Sequence, residues 1–275
     1  MPPLQSSGSP TRSQQVSACL REPLNITLAH LRANARLLGR LDALRARNYS
    51  QRFMRRHAAG IRVPRQAMFQ ALSRDDTRSR IIASFHYGDY VFGLNTLMAA
   101  EANSRRRCVI TLKAGSAAYF NNLARAFGDR AAGPESELIL EGLSMLKVSR
   151  LLRAGSTTLV LFCDLPPNYG AKLELEFLGR RALFGRGAAT LAVTNSVPIL
   201  PVICQTRSDQ TTVFIEAQLE PVVRTGESRT LAISRLSESL IGLLEHHVLQ
   251  DPSQWRYLSL LPAYIQFPQV NQELS

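Results

Sequence analysis

Lysine is nearly missing from this chain: of its 33 basic residues only Lys113, Lys147 and Lys172 are lysines, and the rest are arginines. Cysteine is scarce too. The four cysteines, Cys19, Cys108, Cys163 and Cys204, lie far apart with no CxxC pair, which argues against a disulfide framework or a zinc ribbon and reads as reduced, mostly buried thiols. Long apolar runs are lacking. The longest uncharged ones, 158–163 and 197–204, fall far short of the ~20 residues that a membrane-spanning helix needs, so no span is expected. HExxH, a Walker loop and GxSxG are also absent, which removes the commonest zinc-protease, P-loop and serine-hydrolase patterns. What is present, 45% apolar and 20% charged residues in 275, describes one globular core with extra segments.

The positive charge is lopsided. Residues 1–80 carry 15 arginines against Glu22, Asp42, Asp75 and Asp76, a balance of +11, whereas residues 81–275 carry 18 basic and 17 acidic groups, a balance of +1. A near-neutral body with a cationic front end suits an anionic partner for that front end. An ordered nucleic-acid module is not signalled, because the front end has few aromatics for base stacking (Tyr49, Phe53, Phe69) and no module signature. Val16-Ser-Ala-Cys19 has the outline of a lipoprotein cleavage box, but the polar stretch before it lacks an apolar core, so no secretory leader is expected.

Three parts are expected: a Ser-, Pro- and Gln-rich tail over 1–20, an Arg-rich helical segment over 21–79, and a folded domain over 80–275. Asn25 can cap a helix running to residue 47, with Arg32, Arg36, Arg40 and Arg47 within about 80° of one another and Leu24, Leu28, Leu31 and Leu38 on another face. Those leucines either enter a bilayer interface or pack on the body with the arginines in water. Pro64 opens a short helix to residue 72. From residue 80 the pattern alternates, with strands at 81–85, 108–112, 157–163, 198–204 and 212–219 and helices at 88–102, 115–127, 141–153, 187–195 and 228–248. Strands alternating with helices give an α/β fold: a central, mostly parallel sheet covered by helices.

Two strands deliver chemistry at their ends. Ile81-Ile-Ala-Ser-Phe-His86-Tyr-Gly-Asp89 puts His86 past the carboxyl end of a strand, where open α/β sheets hold their sites. A histidine oriented by a carboxylate is a general base. Asp89 is favoured as that carboxylate for its closeness in sequence. Its plainer alternative is a helix cap. Leu159-Val-Leu-Phe-Cys-Asp164 supplies a rival, because Asp164 shares His86's edge if the two strands are parallel neighbours. Cys163 then points to the opposite face and reads as core. Backbone amides at the helix start after His86 are expected to stabilise a developing oxyanion. In Phe177-Leu-Gly-Arg180-Arg181-Ala-Leu-Phe-Gly185-Arg186-Gly187, the arginines and glycines at a helix start make a candidate anion site: Arg180, Arg181, Arg186 and Gly187. Its Gly185-x-Gly187 is a weak dinucleotide signal, since Thr190 stands where a third glycine belongs. His246 and His247 read as surface or packing residues.

In order and spacing, these segments resemble the lysophospholipid acyltransferase superfamily, most nearly the bacterial lipid A biosynthesis (lauroyl/myristoyl) acyltransferases. The likeness covers residues 80–265. It rests on Ser84-Phe-His86-Tyr-Gly-Asp89, the strand ending in Asp164, the Phe-x-Gly to Arg-Gly-Ala-Ala-Thr-Leu-Ala block at 177–192, Val197-Pro-Ile-Leu-Pro-Val202, and Asp251-Pro-Ser-Gln-Trp255. The resemblance implies transfer of a fatty acyl chain from an acyl carrier protein or coenzyme A thioester to a hydroxyl or amine of a lipid-like acceptor, with His86 as general base. It implies no cofactor and no metal, and a peripheral place on the cytoplasmic face of the inner membrane, against an anionic membrane surface. Val91 occupies the family pattern's acidic position, which leaves Asp89 or Asp164 to orient His86. The same residue favours an alternative, a catalytically degenerate acyl- or lipid-binding relative. A nucleotide-binding α/β protein is the third reading.

Overall fold

A computed structural model describes residues 28–46, 58–62, 77–102, 107–112, 137–140, 145–208 and 210–265. A helix, α1 (Leu28–Ala46), precedes strands β1 (Ala58–Arg62) and β2 (Arg80–Ser84), helix α2 (Tyr90–Ala102), and strands β3 (Arg107–Leu112) and β4 (Glu137–Leu140). Then come α3 (Met145–Arg153), β5 (Thr157–Phe162), β6 (Lys172–Phe177), β7 (Arg180–Gly185), α4 (Gly187–Asn195), β8 (Ile199–Arg207) and β9 (Gln210–Ile215). The long α5 (Arg229–Gln250), 3-10 turns at Pro252–Gln254 and Leu258–Leu260, and the short α6 (Leu261–Tyr264) follow.

Seven of the strands form one sheet in the order β1-β9-β8-β2-β5-β3-β4. All neighbours are parallel except β8 and β9, which are antiparallel. The fold class is therefore α/β with a mostly parallel sheet flanked by helices. β2 sits at the centre with both edges paired, by β5 and β8, and its Arg-Ile-Ile-Ala-Ser run is buried throughout. Alternation divides the core. Ile81, Ala83, Ile199 and Ile203 join a cluster with residues of α4 and α5, while Cys204 meets Gly93 of α2 on the opposite face.

The register is what matters for the site. Ser84 pairs with Phe162 across the parallel β2–β5 ladder, and the Cys163 N–H continues it to the Ser84 carbonyl at 2.9 Å. His86 and Asp164 each stand two residues beyond that pair, so the ladder sets them side by side.

The expected strands at 81–85, 108–112, 157–163 and 198–204 and the helices at 88–102, 141–153, 187–195 and 228–248 correspond to elements of this fold. The expected strand at 212–219 ends at Ile215, with Leu219 retained as a lone bridge to Ile199. The expected helices at 64–72 and 115–127 lie outside the described residues. The β6–β7 hairpin was not anticipated. Its faces alternate, with Leu175, Phe177, Ala182 and Phe184 buried and Glu174, Glu176 and Arg181 exposed, and its two-residue turn, Leu178-Gly179, has both residues at positive φ. Gly185-x-Gly187 thus follows a hairpin strand rather than a strand of the parallel sheet, which removes the context a dinucleotide fingerprint requires.

α1 turns one face to the body. Leu41 is buried, Leu31 packs on the central cluster, and the buried Asn34 amide donates to the carbonyls of Ser253 and Trp255 at 2.6 and 2.8 Å. Arg32, Arg36 and Arg40 face outward, with Arg40 donating to the Ser208 carbonyl and Asp42 pairing with Arg256 at 3.1 Å. Of the two readings for this helix, packing on the body fits Leu31. Its side chain is engaged there and is not presented to a bilayer.

Candidate active site

The site grows from the turn between β2 and α2. Gly88 makes that turn with φ +57°, a left-handed conformation that strains any L side chain, and a Cβ there would overlap the Cys204 carbonyl. Asp89 then caps α2: its Oδ1 accepts from the Phe92 N–H at 3.3 Å and its carbonyl from the Gly93 N–H at 3.0 Å. The chain reverses within three residues of His86, so the imidazole is left at the sheet edge.

His86 Nδ1 lies 2.8 Å from Asp164 Oδ1, and the His86 backbone N–H donates to Asp164 Oδ2 at 2.8 Å. A carboxylate only accepts, which puts the ring hydrogen on Nδ1 and the lone pair on Nε2. Asp164 is wholly buried, while His86 keeps 8% of its surface open. The pair therefore meets the outside only through the imidazole.

A buried carboxylate without a cationic partner needs donors, and Asp164 has them. The Trp255 indole N–H reaches Oδ2 at 3.0 Å, so two N–H groups meet that oxygen while the imidazole takes the other. Among the described residues no arginine or lysine pairs with it. Each such charge-assisted bond is worth about 1.5–3 kcal/mol, and losing one leaves the carboxylate underserved in a medium that penalises it. The Tyr264 hydroxyl donates to the Asp164 carbonyl at 2.7 Å, which fixes the backbone as well. Phe177 and Phe184 of the hairpin pack on Trp255 and Tyr264, so β6 and β7 buttress the carboxylate.

Rings surround the imidazole: Phe162 at 4.1 Å, Tyr90 at 4.7 Å and Tyr257 at 4.9 Å between centroids. Burial, reinforced by the Asp164 charge, pushes the Tyr257 phenol well above its ordinary range, so it remains an O–H donor.

Several expectations need correction. Asp89 is not the orienting carboxylate. It serves as the helix cap, and its own N–H donates to Thr206 Oγ1 at 2.8 Å. Three of the backbone amides after His86 that were expected to stabilise an oxyanion already have acceptors. Gly88 N–H is taken by the Gln254 carbonyl at 3.0 Å, Asp89 N–H by Thr206, and Phe92 N–H by Asp89. Val91 is buried on α2, and Asp164 supplies the carboxylate from the neighbouring strand instead.

The arginine block divides. Arg186 and Gly187 open α4, which leads into β8, so its N-terminus lies at the carboxyl edge of β2 and β5 with no acidic residue in its first turn. Arg181 is instead on the exposed face of the hairpin, ion-paired to Glu174, and Arg180 begins β7 beside the turn. None of the polar or ring contacts of His86 among the described residues involves these arginines. Cys163 is buried in the core cluster, its thiol pushed up by burial and by Asp164, which suits packing and not nucleophilic attack. Among the described residues no group of three or more His, Cys, Asp or Glu could hold a metal ion, and no helix is long and apolar enough to cross a membrane.

Sequence reading missed Trp255 and Tyr264 as partners of Asp164. The Asp251-Pro-Ser-Gln-Trp255 motif was visible, but nothing in its spacing says that the chain returns to the sheet edge. No family model matches this chain, and no curated protein does so either.

Proposed function

We propose that the protein is an acyltransferase. It moves a fatty acyl chain from a carrier-protein or coenzyme A thioester to a hydroxyl or amine of a lipid-like acceptor. The observation that carries this reading is the Asp164–His86 pair: a buried carboxylate on Nδ1, and Nε2 left as a base at the open edge of the sheet. The sequence likeness over residues 80–265 supplies the reaction class.

In the proposed step, Nε2 takes the proton from the acceptor hydroxyl as its oxygen attacks the thioester carbonyl. Asp164 favours the imidazolium that forms. The tetrahedral adduct collapses by breaking the C–S bond, and the imidazolium returns its proton to the departing thiolate. The Tyr257 hydroxyl is assigned to the oxyanion, since it is an O–H donor on a ring beside the imidazole. Arg186 and the start of α4 are assigned to an anionic group of donor or acceptor. The outward arginines of α1 hold the enzyme on an anionic membrane surface as a peripheral protein of the cytoplasmic face.

A second reading, an acyl- or lipid-binding relative without turnover, is favoured by Val91 alone. Transfer of label from a radiolabelled dodecanoyl thioester to a mixed lipid extract separates the two. Label in the lipid fraction with the native chain, and none with His86→Ala, supports the enzyme. Binding of the dodecanoyl probe without transfer by either chain supports the second reading, and undiminished transfer by His86→Ala contradicts the general-base mechanism.

A further inference from the structure

We propose that Trp255 is a positioning residue for the catalytic pair, acting through Asp164; this rests on the reading of His86 and Asp164 as the base of an acyl transfer. Asp164 has two oxygens and three N–H neighbours, and the assignment of oxygens depends on all three. The backbone N–H of His86 and the indole N–H both address Oδ2, at 2.8 and 3.0 Å. That arrangement reserves Oδ1 for the imidazole at 2.8 Å. Without the indole, the carboxylate can rotate about χ2 and its second oxygen lacks one of its donors, so the imidazole loses a fixed tautomer and a fixed plane.

The indole is itself held on every side. Trp255 is fully buried against Phe177 at 5.5 Å and Tyr264 at 5.4 Å between ring centroids, and its carbonyl accepts from the Asn34 amide of α1. The next residue donates its backbone N–H to the His86 carbonyl at 2.8 Å, and Tyr87 bridges to Trp255. Residues 255 and 256 therefore grip both members of the pair from a segment that meets the sheet edge only after α5. A buried indole N–H needs an acceptor, and the one it has here is the carboxylate that orients His86.

Trp255 is the only tryptophan in the chain, so its indole N–H gives a single resonance that reads the contact directly. Trp255→Phe keeps a ring between Phe177 and Tyr264 and removes the donor. With the dodecanoyl thioester as probe, kcat is expected to fall about 10–100-fold, as for loss of a partner behind a first-contact ligand, with KM for the probe nearly unchanged. In the native full-length chain the indole proton should be protected from solvent exchange. Asp164→Ala should move it upfield and speed its exchange about tenfold or more, the factor that one charge-assisted hydrogen bond carries.

Undiminished kcat in Trp255→Phe, with His86→Ala inactive, would overturn the positioning role and leave the acyl-transfer reading standing. Undiminished transfer in His86→Ala would remove that reading, and the positioning role with it. Should Trp255→Phe fail to fold, the indole resonance decides: the same shift and exchange rate in the native chain and Asp164→Ala overturn the proposal.

Discussion

At the scale of single residues, the site depends on positions that carry no chemistry. Gly88 gives the chain its left-handed step, and any side chain there meets both an unfavourable φ and the Cys204 carbonyl. Gly88→Ala is expected to cost roughly 2–4 kcal/mol, the left-handed penalty plus the displacement of β8. A urea titration of the variant reads it as a lower midpoint at unchanged slope. A midpoint equal to the native one would mean that the turn tolerates a side chain. Val91 argues in the other direction. Because its site is buried and the pair already has its carboxylate, Val91→Asp should lower stability by about 2 kcal/mol or more without raising activity. A rise in kcat on restoring the acid would show that the pair needs a second carboxylate.

At the scale of elements, the strands that carry His86 and Asp164 were legible because parallel central strands are continuous β-branched and aliphatic runs, and Ile81-Ile-Ala and Leu159-Val-Leu are plain examples. What remained hidden was the register. Closeness in sequence favours Asp89 over Asp164, and only the pairing of Ser84 with Phe162 reverses that order, because pairing between distant strands leaves no trace in local spacing. The hairpin escaped notice for a local reason: Leu178-Gly179 makes a turn that usually announces itself with Asn-Gly. The C-terminal contacts to Asp164 were hidden for the same reason as the register, with Trp255 lying 91 residues from its partner.

The end of α5 yields a pH dependence. His247 is buried against Tyr87, Phe214 and His246, its Nδ1 has no partner among the described residues, and burial followed by the His246 charge pushes it down to about 4. A lowered histidine value means that the unfolded chain binds the proton more readily. Its contribution to stability is therefore complete above the ordinary value of about 6.5 and is lost as pH falls towards about 4. The loss over that window is on the order of 2 kcal/mol. His247→Gln should flatten that limb in thermal melts between pH 7 and pH 4, and an unchanged slope would place the acid sensitivity elsewhere.

At the scale of the whole molecule, α1 and the site share one segment of the chain. α1 reaches the body through Asn34 and Asp42, and the contacts they make are on Ser253, Trp255 and Arg256, the same segment that grips His86 and Asp164. An anionic surface meeting Arg32 and Arg36 would therefore lie across α1 from the segment that holds the pair. With each arginine worth about 1 kcal/mol near such a surface, Arg32→Glu combined with Arg36→Glu should weaken co-sedimentation with anionic vesicles severalfold or more, and rising salt should erase the difference. Deleting residues 1–60 is a poorer test, because it cuts into β1 as well as removing α1. Equal vesicle binding by the double variant at low salt would remove the membrane role from this helix.

The central claim is that Asp164, and not Asp89, makes His86 a base, and the most direct measurement compares kcat for Asp164→Asn and Asp89→Asn with one radiolabelled dodecanoyl thioester. Asparagine still caps a helix, so Asp89→Asn should stay within about threefold of the native rate. Asp164→Asn should lose about a hundredfold or more, because the amide no longer favours the imidazolium. A large loss at Asp89 with a small one at Asp164 would contradict the claim, as would equal, slight losses at both.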